Sequence, residues 1–221
     1  MGFFTKKDKD IPADMGALVE KARISLVKHG IGDLKAAVYL VLDHSGSMSS
    51  YYRNGDVQKL AERALGLSAN LDDDGIVPVV LFADHAEKIQ EVSVTDYIGA
   101  AERLSSQAQW GGTNYIAAID AMVEHYGKSG STDPALVIFQ TDGDPAFRAE
   151  TTEKIRSLRG KNVFIAFVSF GSSVPYLNTL DNLGTGREDI VSHFRAPKPS
   201  QVTDEELYDG ITGEFARWVK S

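Results

Sequence analysis

Residues 37–48, with the sequence AVYLVLDHSGSM, determine both the fold and the chemistry expected of this chain. The first six are apolar and rich in β-forming types, which predicts a strand that ends at the carboxylate of Asp43. Ser45 and Ser47 follow at alternate positions. Because side chains alternate along an extended chain, these three oxygen-bearing side chains point the same way at the carboxyl end of the strand. Open α/β sheets bind their ligands at that end.

The rest of the chain alternates between strand-like and helix-like patterns. Further strands are predicted at 76–82, about 87–92, 135–142, 163–168 and 190–194, the first two forming a hairpin. Helices are predicted from residue 14 onward and at 57–71, about 96–104, 115–126, about 149–158, about 174–183 and 203–219. Alternation of this kind predicts an α/β fold, a doubly wound and mostly parallel sheet with helices on both faces.

Composition limits the classes of function. The 221 residues include no cysteine, so thiolate metal ligands, disulfides and cysteine nucleophiles are excluded. The net charge of −8 argues against binding to nucleic acid, and no apolar run is long enough for a membrane helix. The amino terminus lacks a secretory signal pattern, so we expect a cytoplasmic protein. We predict an amino-terminal extension and helix over 1–34, polar up to about residue 12, and one domain over 35–221.

Two further segments supply oxygen-bearing side chains. The strand predicted at 135–142 ends at Asp142, and Thr113 lies in the loop sequence WGGTN, directly before a predicted helix. If the strands that end at Asp43 and Asp142 are neighbours, these loops meet Ser45 and Ser47 at one edge. Five oxygen donors without His or Cys favour Mg²⁺, with Mn²⁺ or Ca²⁺ as alternatives, over Zn²⁺ or Cu²⁺.

This set resembles a known site. The pattern Asp43-x-Ser45-x-Ser47, followed by Thr113 and then Asp142, resembles the metal-ion-dependent adhesion site of the von Willebrand factor A (vWA) domain family. All five positions match in order, and the resemblance extends from about residue 35 to the carboxyl end. The segment 26–31 (LVKHGI) and the absence of cysteine resemble the bacterial tellurium-resistance (Ter) group within that family.

The resemblance implies both an architecture and a function. It implies six strands, five parallel and one antiparallel at an edge. It also implies that Ser45, Ser47 and Thr113 ligate the metal directly, while Asp43 and Asp142 act through water. A protein partner would supply an Asp or Glu carboxylate as the remaining ligand, and binding can be coupled to movement of the last helix. The expected function is a non-enzymatic, metal-dependent interaction module in a tellurium-resistance or stress-response assembly, with other Ter proteins as possible partners.

The sequence lacks the motifs that two classes of enzyme require. Ser45, Asp142 and His193 occur in the order of an α/β-hydrolase triad. Such a hydrolase also needs glycine two residues before and two residues after its serine, where this chain has Asp43 and Ser47. No phosphate-binding Gly-x-x-x-x-Gly-Lys-Ser/Thr loop is present. The alternative that stays open is a metal-dependent hydrolase acting on phosphate esters.

Several neighbouring residues have two interpretations. Asp144 is either an additional ligand or part of a turn, and Trp110 either contacts a partner or packs internally. Asn114 is expected to cap the helix that follows it. Asp84 is expected to order its hairpin, and His44 to point away from Asp43 because of the alternation.

Overall fold

The computed structural model describes residues 11–72 and 74–221. Almost all of the predicted polar extension therefore lies outside the described residues. Within them the sheet consists of six strands, which are β1 (Ala37–Asp43), β2 (Ile76–Phe82), β3 (Gln90–Ser93), β4 (Ala135–Thr141), β5 (Val163–Phe170) and β6 (Val191–Ala196).

The strand order is β3-β2-β1-β4-β5-β6. β3 is antiparallel to β2, and every other pair of neighbours is parallel. The predicted six-stranded, doubly wound sheet with one antiparallel edge strand is therefore confirmed. β1 lies between β2 and β4, so its carboxyl end is flanked by the ends of two parallel strands.

Helices surround this sheet. They are α1 (Ala13–Lys28), α2 (Ser49–Arg53), α3 (Asp56–Leu71), α4 (Ala100–Ser105), α5 (Tyr115–Ser129), α6 (Arg148–Arg156), α7 (Pro175–Asp181) and α8 (Asp204–Val219). The side chain of Thr203 accepts a hydrogen bond from the backbone of Glu206 at the start of α8, and the Glu206 side chain bonds back, which confirms the predicted capping box. No helix within 11–72 and 74–221 is long and apolar enough to cross a membrane.

Aromatic contacts show that both faces of the sheet are covered. Phe164 of β5 packs against Phe215 of α8, with ring centroids 5.7 Å apart. Phe167 of the same strand stacks on Tyr115 of α5, with centroids also 5.7 Å apart. Residues three apart in a strand point to opposite faces, so α8 and α5 lie on opposite sides of the sheet.

Helix α1 packs outside this layer, against α3 and α8. Asp204 of α8 accepts hydrogen bonds from Lys21 of α1 and from the buried Arg63 of α3, each at 2.8 Å. The side chain of Asn70 in α3 donates to the Val19 carbonyl at 2.9 Å. These contacts attach α1 to the domain, and a domain boundary at residue 35 stays a prediction.

Three local features differ from the prediction. Residues 46–48, which the alternation of Ser45 and Ser47 assumes to be extended, form a 3-10 helix. The helix predicted at about 96–104 begins at Ala100, because Gly99 takes a left-handed conformation with φ of 66° directly before it. The short helix α2 was not predicted, since its sequence SSYYR carries no helical apolar period.

Candidate metal centre

Asp43 is the deepest residue of the predicted site. Leu42 is in register with Gln140, so Asp43 lies beside Thr141 at the ends of β1 and β4. The Thr141 hydroxyl donates to Asp43 Oδ2 at 2.6 Å, and the Ser45 backbone N–H donates to Oδ1 at 2.7 Å. Burial raises the pKa of Asp43 to about 6, because these hydrogen bonds offset only part of the cost of removing the carboxylate from water.

The two serines connect Asp43 to Asp142. The hydroxyl oxygens of Ser45 and Ser47 are 3.2 Å apart, and the Ser47 hydroxyl donates to Asp142 Oδ1 at 2.8 Å. Ser45 is buried and Ser47 is exposed, so the hydrogen-bonded chain runs from the interior to the surface. Burial raises the pKa of Asp142, and the hydrogen bond from Ser47 opposes this rise. Four of the five predicted residues therefore lie in one hydrogen-bonded chain.

Thr113 is brought to the same place by its backbone. The Gly46 N–H donates to the Gly111 carbonyl at 3.2 Å, which ties the loop over residues 109–114, the Thr113 loop, to the serines. The Ala146 N–H donates to the Thr113 carbonyl at 2.9 Å, which ties the same loop to the segment after Asp142. Among the described residues, however, the Thr113 hydroxyl makes no hydrogen bond to the other four.

Asp84 holds the Thr113 loop from the β2 side. Its Oδ1 accepts a hydrogen bond from the Gly112 N–H at 3.1 Å, and its carbonyl accepts one from the Asn114 side chain at 3.0 Å. A Cβ added to Gly111 would lie 2.5 Å from Asp84 Oδ2, so only glycine fits there without displacing a neighbour. The sequence showed a third strand that ends in an aspartate, but not that this carboxylate reaches the glycines.

His44 contacts the same loop through its ring. Its ring stacks on Trp110 with centroids 3.7 Å apart. Its Nε2 lies 2.8 Å from the Ser105 hydroxyl and its Nδ1 lies 3.1 Å from the Gln109 carbonyl. His44 thus faces away from Asp43, as the alternation predicts, and supports the Trp110 side of the loop.

A second layer of hydrogen bonds lies beneath Asp43. The buried Tyr115 hydroxyl donates to the Gly143 carbonyl at 2.5 Å, and its oxygen lies 3.1 Å from Thr141 Oγ1. Sequence reasoning missed Thr141 and Tyr115, although the polar residues Gln140 and Thr141 at the end of an apolar run were a usable indication. Asn114 caps α5 by accepting a hydrogen bond from the Ala117 N–H, as predicted.

Two other residues make different contacts. Asp144 forms an ion pair with Arg148. His193 Nε2 lies 2.7 Å from the Ser169 hydroxyl, and its Nδ1 lies 2.8 Å from Asn178 Oδ1. His193 therefore forms its side-chain hydrogen bonds with residues of β5 and α7. Among the described residues it makes no hydrogen bond to Ser45.

The donor set fits a hard cation. Within the described part of the chain, no group of three or more His, Cys, Asp or Glu side chains could hold a metal ion. A cation at this edge would therefore depend on hydroxyl oxygens as well as on Asp43 and Asp142. Oxygen donors of mixed charge are typical ligands of Mg²⁺, Mn²⁺ and Ca²⁺.

The sheet order and the positions of these loops define a vWA-type α/β domain. Among solved structures, the chain is similar to a von Willebrand factor type A protein from Catenulispora acidiphila, with a TM-score of 0.59 and 18% identity over 81% of this chain and 42% of that one. It is also similar to proximal thread matrix protein 1 from the mussel byssus with a zinc-occupied MIDAS motif, with a TM-score of 0.58 and 16% identity over 81% of this chain and 48% of that one. A third similar structure is the manganese-loaded TRAP protein of Plasmodium vivax, with a TM-score of 0.51 and 20% identity over 80% of this chain and 74% of that one. The chain spans less than half the length of the first two, and these likenesses show the fold.

The sequence comparisons give the family. The sequence model for the vWA-TerF-like domain, described as the vWA found in the TerF C terminus, matches residues 35–221. The chain therefore belongs to the vWA-TerF-like family. It is also 29% identical over 207 residues to a protein of Bacillus subtilis (strain 168) named Uncharacterized protein YcbR, covering 91% of this chain and 84% of that one.

The contact between Gly111 and Asp84 leads to a stability prediction. We expect Gly111→Ala to lower the free energy of unfolding by about 1–3 kcal/mol, because the new methyl group forces Asp84 away from the Gly112 N–H. Urea unfolding followed by circular dichroism measures the change. Gly127→Ala is the matched control, since Gly127 lies in α5 with open space around it, and we expect it to stabilise by about 0.5–1 kcal/mol.

A double-mutant cycle separates this contact from a general loss of packing. In an Asp84→Ala background the added methyl group no longer meets a carboxylate, so the cost of Gly111→Ala should fall by at least half. An unchanged cost in that background would show that Asp84 is not the residue that makes glycine necessary.

Proposed function

We propose that this chain is a metal-dependent protein-interaction module and not an enzyme. Asp43, Ser45, Ser47, Thr113 and Asp142 would hold the cation, which we propose to be Mg²⁺, with Mn²⁺ or Ca²⁺ as substitutes. Proteins of the vWA type are in general interaction modules, and membership in the vWA-TerF-like family supports this function for the chain.

The observation that carries the proposal is the hydrogen-bonded chain from Asp43 to Asp142. Four residues spread over a hundred positions meet through contacts of 2.7–3.2 Å, and the Thr113 loop is tied to the serine segment and to the segment after Asp142. Packing alone gives no reason to place two carboxylates and two hydroxyls together at a strand end. A bound cation does, because it offsets the electrostatic cost of the buried Asp43 carboxylate.

The arrangement of the carboxylates supports an acidic partner. Both oxygens of Asp43 already accept hydrogen bonds from the protein, and Asp142 accepts one from Ser47. The hydroxyl groups of Ser47 and Ser45 are neutral donors to a cation. If they form the inner ligands, the bound cation supplies an incompletely neutralised positive charge to a carboxylate from outside. An Asp or Glu of a protein partner fits that requirement.

The family suggests a setting for the module. Because the matching domain is the one found at the TerF C terminus, we propose a role in a bacterial tellurium-resistance or stress-response assembly in the cytoplasm. Other Ter proteins are candidate partners there. The proposed division into an amino-terminal extension and helix over 1–34 and a vWA domain over 35–221 coincides with the matched range.

Metal uptake is the first test of the proposal. We expect calorimetry to detect one Mg²⁺ or Mn²⁺ site, and Ser47→Ala or Asp142→Ala to weaken it by about 10- to 100-fold. Asp120→Ala is the control, because Asp120 is an exposed carboxylate on α5 that pairs with Lys154. No measurable uptake of Mg²⁺, Mn²⁺ or Ca²⁺ by the folded wild-type protein would contradict the proposal.

Partner capture is the second test. The immobilised protein should retain a bacterial partner in Mg²⁺, release it in EDTA and regain it when Mg²⁺ is restored. Asp142→Ala should fail to retain the partner, whereas Asp120→Ala should retain it. A partner that stays bound in EDTA and on Asp142→Ala would show that docking does not use this site.

The alternative function is hydrolysis of phosphate esters with a metal at the same place. We expect no phosphate release from generic monoesters and diesters in Mg²⁺ or Mn²⁺ above the rate without protein. Release that disappears in Asp43→Ala, with the variant shown to be folded by circular dichroism, would replace the interaction module with an enzyme.

A further inference from the structure

Large apolar side chains are exposed at the candidate metal centre. Among the described residues, the exposed large hydrophobic side chains are Ile24, Val27, Ile98, Trp110 and Phe147. Two of these five belong to the loops of the centre. Trp110 is 44% exposed in the Thr113 loop, and Phe147 is 52% exposed just after the segment that follows Asp142.

Both side chains lie on segments that are connected to Thr113. Trp110 precedes Thr113 by three residues, which limits their Cα separation to about 11 Å. Phe147 directly follows Ala146, whose N–H donates to the Thr113 carbonyl at 2.9 Å. The two apolar residues therefore lie on two segments that are connected at one proposed metal ligand.

Trp110 is held in place before any partner arrives. One face of its indole ring stacks on His44 at 3.7 Å, and Tyr52 contacts the ring edge-on at 5.4 Å. His44 is itself fixed by the Ser105 hydroxyl and the Gln109 carbonyl. A ring that is immobilised on one side and exposed on the other offers a contact surface at a small cost in conformational entropy.

Charge determines what can lie on this surface. The chain has a net charge of −8, so an acidic partner is repelled at long range. A cation at the centre attracts a carboxylate only at short range, and the exposed Arg148 next to Phe147 is already paired with Asp144, so it adds no net charge at this edge. Apolar contacts beside the carboxylate would supply affinity that long-range electrostatics cannot.

We propose that the partner presents an extended acidic peptide segment whose Asp or Glu is flanked on both sides by apolar side chains. One apolar side chain packs on Trp110 and the other on Phe147, while the carboxylate reaches the cation between them. In an extended chain, residues two or three positions from the carboxylate lie about 7–10 Å from it. This inference rests on the proposed function.

A peptide selection tests the inference. A displayed library of decapeptides with one fixed central Asp is bound to the immobilised protein in Mg²⁺ and eluted with EDTA. Peptides from the wild-type protein should be enriched in Leu, Ile, Met, Phe or Trp two or three positions from the Asp. Selection on the double variant Trp110→Ser and Phe147→Ser should lose that enrichment. Ile98→Ser, which removes the most exposed apolar side chain outside these loops, should leave it unchanged.

Affinity measurements then assign each contact. The best selected peptide should bind about tenfold more weakly when one flanking apolar residue is replaced by Ser. When the protein carries Trp110→Ser or Phe147→Ser, replacing the peptide residue that contacts the altered side chain should no longer weaken binding. Calorimetric Mg²⁺ uptake by Phe147→Ser should equal that of the wild-type protein, because the Phe147 side chain is neither a proposed ligand nor a support of the Thr113 loop.

The outcomes separate this inference from the proposed function. Acidic peptides without an apolar preference would overturn the inference and leave metal-dependent docking intact. An apolar preference that persists on the double variant would overturn the assignment to Trp110 and Phe147. If the protein takes up metal but selects no peptide, the proposal that the partner presents a peptide segment would be overturned. Absence of metal uptake would instead contradict the proposed function itself.

Discussion

The burial of the Asp43 carboxylate is the constraint on which the site depends. A charged group at the end of a central strand is costly unless the protein surrounds it with hydrogen-bond donors. The Ser45 N–H and the Thr141 hydroxyl do so from both sides, and Tyr115 orients Thr141 from below. Even so, the pKa of Asp43 is raised to about 6, so the donors compensate only in part. Positive charge at the surface above Asp43 would complete the compensation.

The loops around Asp43 are fixed from inside the domain. His44 supports the Thr113 loop through Gln109 and Trp110, and Asp84 supports it through Gly112. None of these supporting side chains is a proposed ligand. The exposed Ser47 hydroxyl therefore lies on a base whose geometry is set by the partly buried contacts of His44 and the exposed contacts of Asp84. Such a base is a property of binding sites that act without large rearrangement.

The parts of the structure that could be predicted from sequence are those encoded by local patterns. The bounds of β2 follow from an unbroken apolar run, and the position of Asp43 follows from the end of the apolar run of β1. Ser45 and Ser47 do meet, but not by alternation, because residues 46–48 form a 3-10 helix and not an extended chain. Thr141 and Asp84 could not be assigned their roles, because those roles depend on the register between strands and on the path of a distant loop. The missed helix α2 is likewise stabilised by tertiary contact, since Tyr52 packs on Trp110 and donates to the Asp43 carbonyl.

Strand order decides which side chains can act together. Ser45, Asp142 and His193 occur in the chain in the order of a hydrolase triad, yet β4 and β5 separate β1 from β6. Three strand spacings amount to about 14 Å, which is far beyond a hydrogen bond. His193 instead forms a serine–histidine–asparagine arrangement with Ser169 and Asn178, but Ser169 is fully buried and no substrate can reach its hydroxyl. β1 and β4, by contrast, are neighbours, and the residues at their ends share one hydrogen-bonded chain that reaches the surface. Adjacency in the sheet therefore favours oxygen-based docking at β1 and β4 over nucleophilic catalysis at β6.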